Sequence, residues 1–306
     1  MRVTKRIKIN RAKSKIMIVK YPSEYEENLS VGIVGCGWLG KALAKTLLEK
    51  GASVLATSSK LENVEKLNKQ GINAQQLTLA ATNKQLVKHD IFGQQRLVIA
   101  ITPQFKQGRT DYADKVAQLV SAVQQRGYVQ QIILLSSTAV YHGLEGNVNE
   151  ESPLNLTTEK VQILNAAEQA VLSIANNGAK QGNVIRLAGL VGPERHPGKF
   201  LLPTKGQANK TLNNSAAPVN LVHQQDAVGL IESLLQVGSP QGIFNGVSDT
   251  HVSKKQYYQA AAKALSLQVP VFSQEHSSEA TRKVCGEKAK KVLSYKFIYP
   301  DLLTWL

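Results

Sequence analysis

From residue 30 onward the chain alternates short apolar runs rich in β-branched residues with longer stretches whose apolar residues recur at helical spacing. Few folds satisfy such alternation, because a strand that is followed by a helix returns as a parallel neighbour with the helix packed on the sheet. "SVGIVG" reads as the first strand, and "GKALAKTLLEKG" as its helix, with Ala42, Leu43, Leu47 and Leu48 at helical spacing and Gly51 as the stop. "ASVLATS" is the second strand, a polar helix runs from Leu61 to Gln70, and "INAQQLTL" and "RLVIAITP" are strands three and four. The fourth is apolar enough for a central position, buried on both faces. "DYADKVAQLVSAVQQRG" predicts a helix ending at Gly127, and "QIILLSS" a fifth strand. A long helix over "TTEKVQILNAAEQAVLSIANNG", closing at Gly178, and a sixth strand in "GNVIRLAGLVGP" complete the series.

Three glycines at 35, 37 and 40 follow the first strand and open the first helix, in the spacing G-x-G-x-x-G. In that context Gly35 makes the tight turn, Gly37 lets the backbone approach a pyrophosphate, and Gly40 lets helix and strand pack closely. The helix N-terminus then attracts the phosphates. The turn residues Gly35, Cys36, Gly37, Trp38, Leu39 and Gly40 are therefore candidates for cofactor binding, with Ile101, Thr102, Pro103 and Ser136 at the ends of the fourth and fifth strands. Cys36 reads as a small filler between two glycines. At the end of the second strand, where a carboxylate would hold a ribose diol, stand Thr57, Ser58, Ser59 and Lys60. Hydroxyls and a cation there favour a 2′-phosphate, so the expected cofactor is NADP, with NAD as the alternative.

The expected fold class is α/β, a Rossmann-type doubly wound parallel sheet with a smaller C-terminal substrate lobe. At 306 residues the chain suits one large α/β domain or two lobes. Beyond Pro193 it loosens into Gly, Pro, Asn and Lys, and "APVNLVHQQDAVGLIESLLQVG" and "GIFNGVSD" look like a return to the sheet. A helix through "KKQYYQAAAKALSL" and a tail follow. The division expected is a basic arm over 1–28, a nucleotide-binding domain over 29–192 rejoined by 218–248, and a substrate lobe from 193–217 and 249–306.

The formal charge of +15 is unevenly spread: Arg2, Lys5, Arg6, Lys8, Arg11, Lys13, Lys15 and Lys20 precede residue 21 with no acidic residue among them. The arm lacks the apolar segment of a signal peptide and interleaved aromatics for stacking bases, so nucleic acid is not the expected partner. Met1 and Met17 are the methionines, and the alternative reading of the arm is a translation start at Met17 that leaves residues 1–16 outside the protein. No apolar run approaches the roughly 18 residues of a membrane helix. Two cysteines, Cys36 and Cys285, make neither a disulfide framework nor a four-ligand zinc site, which places the chain in the cytoplasm with no metal.

Taken in order, "LSSTAVYHG", "NEESPLN", "VIRLAGLVGP", "NLVHQQDAVGLI" and "GIFNGVSD" resemble the extended short-chain dehydrogenase/reductase family of NAD-dependent epimerases and dehydratases, over residues 30 to 306. With Val34 where that family places the first glycine of its turn, the chain resembles the atypical branch. The resemblance implies that Ser137 hydrogen-bonds a reacting carbonyl or hydroxyl, and places Asp114 near a structural asparagine. It also implies a Y-x-x-x-K pair in the long helix after Pro153, where this sequence has no tyrosine and the nearest register holds Thr158 and Gln162. A threonine is a far weaker acid than a lysine-assisted phenol, and glutamine carries no charge, so the usual proton relay is missing. Tyr141, beyond Ser137, is the candidate replacement donor or else a substrate contact.

His142 and His223 are of the residue type that can titrate near neutral pH but fit loop or structural roles, and by resemblance His223 with Asp226 matches a segment that packs the second lobe on the sheet. Glu150 and Glu151 read as a solvated turn or a carboxylate pair. By resemblance Arg186 and Arg195 fall where the family contacts nucleotide or sugar, and "RHPGK" where a diphosphate is met. The resemblance further implies a homodimer through helices at 111–126 and 158–176. Two functions stay open: an NADP(H)-dependent oxidoreductase or epimerase acting on a sugar nucleotide or similar polar carbonyl or hydroxyl compound, and a regulatory or redox-sensing protein that binds NAD(P) and has lost the chemistry.

Overall fold

The computed structural model describes residues 29–80, 86–177, 180–200, 213–236, 238–273 and 281–306; the basic arm, part of the 193–217 segment and the helix stop expected at Gly178 lie outside them. The elements follow in the order β1 (Ser30–Val34), α1 (Trp38–Glu49), β2 (Ser53–Ser58), α2 (Leu61–Lys69), β3 (Ala74–Gln76), β4 (Arg96–Ile99), α3 (Tyr112–Arg126) and β5 (Gln131–Ser137). Then come β6 (Gly146–Val148), α4 (Glu159–Leu172), β7 (Gln181–Leu187), β8 (Gly189–Val191), β9 (Leu221–His223) and α5 (Gln224–Leu235). The chain closes with β10 (Gly242–Gly246), α6 (Lys254–Ala264), β11 (Arg282–Val284) and α7 (Glu287–Val292).

Seven parallel strands form the central sheet in the order β10, β7, β5, β4, β1, β2, β3. The chain adds strands outward from β1 in one direction, then returns to the other side of β1 with β4 and builds the opposite way. Strand order therefore reverses between β1 and β4, which opens a crevice beyond their C-terminal ends. Val34, the last residue of β1, pairs with Thr57 of β2 and Ile99 of β4. The fully buried β4 stands at the centre, as its continuous apolar run demands. Helix α1 presents Leu39, Leu43 and Leu47 at a spacing of four, and packs beside α5; α3 and α4, from crossovers running the other way, pack beside each other.

The sixth predicted strand is two strands. β7 stays in the sheet, and after Ala188 the chain leaves as β8 to pair in parallel with β9. Gly189 marks the departure, where an added Cβ would stand 2.7 Å from the Leu221 side chain. A second, smaller core gathers around Val191, Val219, Leu221, Tyr257 and Leu302, with Tyr299 and Trp305 packed on it. The wholly buried Asp226 at the start of α5 anchors the last segment, accepting from the amides of Ile298 (2.6 Å) and Tyr299 (3.0 Å) and from the Tyr295 hydroxyl (3.0 Å). His223 caps α5 by accepting from the Gln225 amide and stacks 4.0 Å from the Tyr299 ring; burial pushes its pKa down to about 4.

Glu168 breaks the apolar stripe of α4, between Leu164 and Val171, and is wholly buried. Arg186 of β7 meets it: Nη2 donates to Oε2 at 2.7 Å and Nε lies 3.2 and 3.1 Å from the two oxygens. Ser136 of β5 donates to Oε1 at 2.5 Å. The remaining arm of the guanidinium, Nη1, donates to the Tyr141 hydroxyl at 2.9 Å, and that hydroxyl donates to Asn245 of β10 at 2.8 Å. One ion pair thus ties α4 to three adjacent strands.

Removing one partner from such a pair strands the other charge in the core. Glu168→Gln should lower the unfolding free energy by about 3 to 5 kcal/mol in denaturant titrations, whereas replacing both Glu168 and Arg186 by Met should cost less than the single change. A loss below about 1 kcal/mol for Glu168→Gln would show that the ion pair is not what holds α4 to the sheet.

Candidate functional site

The fold itself requires two of the three glycines of the turn. Gly35 has φ +88°, the left-handed region, and an added Cβ would stand 2.8 Å from Ile101 Cγ2. Gly40 lies where a Cβ would come within 3.3 Å of Ile33 Cγ2 and 3.4 Å of the Gly35 carbonyl, so α1 rides close on β1. Gly37, the N-cap of α1, has φ −86°, which any residue adopts, and nothing lies within 4 Å of its added Cβ. Neither strain nor packing inside the protein explains a glycine there. The space is open, and α1 carries neither a side-chain cap nor an acidic residue in its first turn.

The turn is pinned to β2. The Cys36 amide donates to the Thr57 carbonyl at 2.8 Å, and the Gly35 amide to Thr57 Oγ1 at 3.3 Å. Thr57 is 1% exposed, so its hydroxyl serves the turn and does not face a ribose, a correction to its place in the cofactor set. Ser58, Ser59 and Lys60 do reach solvent, with Ser58 Oγ accepting from the Lys60 amide at 3.3 Å. Cys36 is buried within the turn, and burial pushes its thiol up to about 11, so it stays protonated at neutral pH.

Above the turn a cleft of about 320 Å³ opens beyond the ends of β1, β4 and β5. Gly35, Gly37, Trp38, Leu39 and Gly40 form one wall, Ile101, Thr102 and Pro103 another, and Ser136 and Ser137 a third, with Leu187, Ala188 and Leu190 beyond them. Two lining residues come from farther off: Tyr112 from α3, and Arg195 from the loop after β8. The Arg195 guanidinium lies 4.9 Å from the centre of the Trp38 ring. Trp38 in turn donates from Nε1 to the Pro193 carbonyl at 3.2 Å, while its own carbonyl accepts from Gln224 Nε2 at 3.2 Å. A positive group is thereby held at the mouth of a helix N-terminus.

Ser137 ends β5, and its Oγ accepts from the Ala139 amide at 3.1 Å, which fixes the oxygen and leaves its proton to donate. On the far side of this strand end lies a second, more polar cavity of about 630 Å³, lined by Thr138, His142, Gly189, Asn220, Lys254 and Arg282 among others. Successive residues, Ser137 with Thr138 and Ala188 with Gly189, line the two spaces.

Other residues stand elsewhere than the sequence suggested. Tyr141 is fully buried with its hydroxyl shared between Asn245 and Arg186, and burial raises its pKa; it does not line the cleft, so it has no path to a reacting oxygen. Arg186 is spent on Glu168 and has no charge to offer a ligand. Glu150 is half-buried and accepts from the Asn245 amide at 2.6 Å, which makes it a structural acceptor, while Glu151 and Asp114 are exposed. Thr158 stands at the N-cap position of α4 without a side-chain capping bond, and Gln162 donates to the Leu156 carbonyl; no residue of α4 lines the cleft among the described residues. Sequence reasoning passed over Tyr112 and Glu168. A charge within an amphipathic stripe was the signal available for Glu168; Tyr112 carried none beyond being an aromatic on a helix.

Residues 30–105 match the family model of NADP oxidoreductases, coenzyme F420-dependent. Among solved structures, a UDP-glucose 4-epimerase superposes with a TM-score of 0.75 at 17% identity, over 90% of this chain and 94% of that one. The dTDP-glucose 4,6-dehydratase of Bacillus anthracis, in complex with NAD, superposes with a TM-score of 0.72 at 16% identity, over 90% and 96%. The fold is thus that of the extended short-chain dehydrogenase/reductases of epimerase and dehydratase type. Protein YeeZ of Escherichia coli (strain K12) is 32% identical over 281 residues, covering 89% of this chain and 97% of that protein, and with this degree of likeness over nearly the whole of both, the chain belongs to the YeeZ family.

Proposed function

We propose that the protein is an NADP(H)-dependent oxidoreductase or epimerase acting on a sugar nucleotide or a similar polar carbonyl or hydroxyl compound. The observation that carries the cofactor is Gly37, an unstrained glycine facing 4 Å of empty space at the uncapped start of α1. A pyrophosphate fits that space, where a side chain would not leave room for it. Gly37 and the first amides of α1 would hold the diphosphate, with Arg195 supplying a cation beside it. Ser58, Ser59 and Lys60 would receive a 2′-phosphate, since no carboxylate stands at the end of β2 to repel it. When bound, the nicotinamide supplies hydride transfer to or from a carbon of the substrate.

Ser137 lines the glycine cleft, and its neighbour Thr138 lines the second cavity, so a substrate held in the second cavity would approach the cleft beside Ser137. Its free proton would donate to the reacting oxygen, and the second cavity, with Lys254 and Arg282 on its walls, suits the anionic part of a substrate. The setting proposed is the cytoplasm, where cysteines stay reduced, with a second copy docking along α3 and α4; no helix among the described residues is long and apolar enough to cross a membrane. A second reading, a protein that binds NADP(H) without turnover, is favoured by one observation: no α4 side chain reaches the cleft to serve as the acid and base of the family.

Purified protein should bind NADPH in a fluorescence titration, and Gly37→Val should abolish that binding without unfolding the chain; retained affinity in the variant would overturn the site. Replacing Ser58 by Asp should shift preference toward NADH through repulsion of the 2′-phosphate, and a wild type that already prefers NADH by about tenfold would contradict the NADP assignment. Sugar nucleotides screened at the nicotinamide absorbance band should include one that is turned over. Ser137→Ala should slow that turnover at least about fivefold, the worth of one hydrogen bond to the reacting oxygen; no turnover across the screen supports the binding protein instead.

A further inference from the structure

Among the described residues several buried polar side-chain atoms lack a hydrogen-bond partner, and of these the Tyr112 hydroxyl is the one belonging to a residue that lines the glycine cleft. Tyr112 opens α3 and is 1% exposed. A hydroxyl taken from water and given no partner is costly, so its retention calls for an occupant the protein itself does not provide. Two polar groups near it, Ser136 and Glu168, are already committed. Ser136 gives its proton to Glu168 at 2.5 Å, and both carboxylate oxygens of Glu168 accept from Arg186.

Tyr141 supplies the contrast. It too is a fully buried tyrosine, but its hydroxyl accepts from Arg186 and donates to Asn245, so its hydrogen bonds are complete inside the fold. Tyr112 stands in the same cleft as the glycine turn and not in the cavity beyond Ser137, which points to the dinucleotide and not the substrate as its partner. Burial, with the negative charge of Glu168 adding to it, pushes the ionisation of this phenol well above its ordinary range, so the group is a neutral O–H that donates.

Resting on the dinucleotide reading above, the geometry points to Tyr112 as a ligand-contacting residue whose hydroxyl donates a hydrogen bond to the nicotinamide dinucleotide in the cleft. The unsatisfied hydroxyl is then a preorganised donor. It costs the empty protein stability and returns it on binding.

Tyr112→Phe removes the hydroxyl and keeps the ring. The ligand-free variant should melt at or above the temperature of the wild type, because an orphaned group has been deleted, while NADPH, titrated by its own fluorescence, should bind about tenfold more weakly. Tyr141→Phe, stripped of a satisfied hydroxyl, should melt below the wild type. NADPH binding to Tyr112→Phe within about twofold of the wild type overturns the inference. So does a lowered melting temperature in that variant, which would mean that the hydroxyl already has a protein partner. Should Tyr112→Phe fail to fold, Tyr112→Met, also without a donor, is judged by the same affinity. A wild type that binds neither NADPH nor NADH overturns the dinucleotide reading itself, a result distinct from normal binding by both wild type and variant.

Discussion

The Glu168–Arg186 pair is the constraint around which the rest is arranged. A carboxylate with no exposure must have its charge met and its lone pairs filled, and the fold meets that demand with a forked guanidinium from β7 and a hydroxyl from β5. Satisfying it sets the height of α4 over the sheet and the register of β5 against β7, where Ser136 lies opposite Arg186. Ser136 and Ser137 are neighbours on that strand, so one hydroxyl turns inward to the pair while the next faces the crevice. The alternation of a β-strand converts a core requirement into a functional orientation.

The reversal of strand order between β1 and β4 does the complementary work from the other side. It leaves the ends of two central strands with no crossover covering them, and the glycine turn fills only part of that opening. Thr57 holds the turn in place through its carbonyl and its hydroxyl, so the position of α1 is inherited from β2. The cleft is therefore bounded by the glycine turn on one side and by the ends of the central strands on the other.

The parts legible in the sequence are those written in several residues at once. β1, β4 and β5 are apolar across both faces, and α1 and α3 repeat their apolar residues at helical spacing and end at or near glycine, so local pattern and final structure agree. β6 and β11 were not legible, because three residues carry no periodicity and their partners lie more than a hundred positions apart. β8 was hidden for another reason: its residues continue the apolar run of β7, and the break at Ala188–Gly189 depends on a close approach to Leu221 that no local rule supplies. At the site, glycine spacing showed the turn because Gly35 and Gly40 each answer a need of the backbone. Thr57 and Tyr141 were assigned outward roles since a side chain's direction near a strand end or in the short 3-10 turn after one is set by tertiary partners, here the turn amide and Arg186. Arg186 was read as a ligand contact for want of its partner on α4.

Trp38 sits inside the glycine turn and yet is bonded to the loop beyond β8, through Pro193, and to α5, through Gln224. The first turn of α1 is thereby tied to the loop at 192–195 by a hydrogen bond and by the Arg195 guanidinium over the indole. Any coupling that this tie carries is reciprocal: the factor by which a molecule on the loop changes affinity at the turn is the factor by which occupancy of the turn changes affinity at the loop.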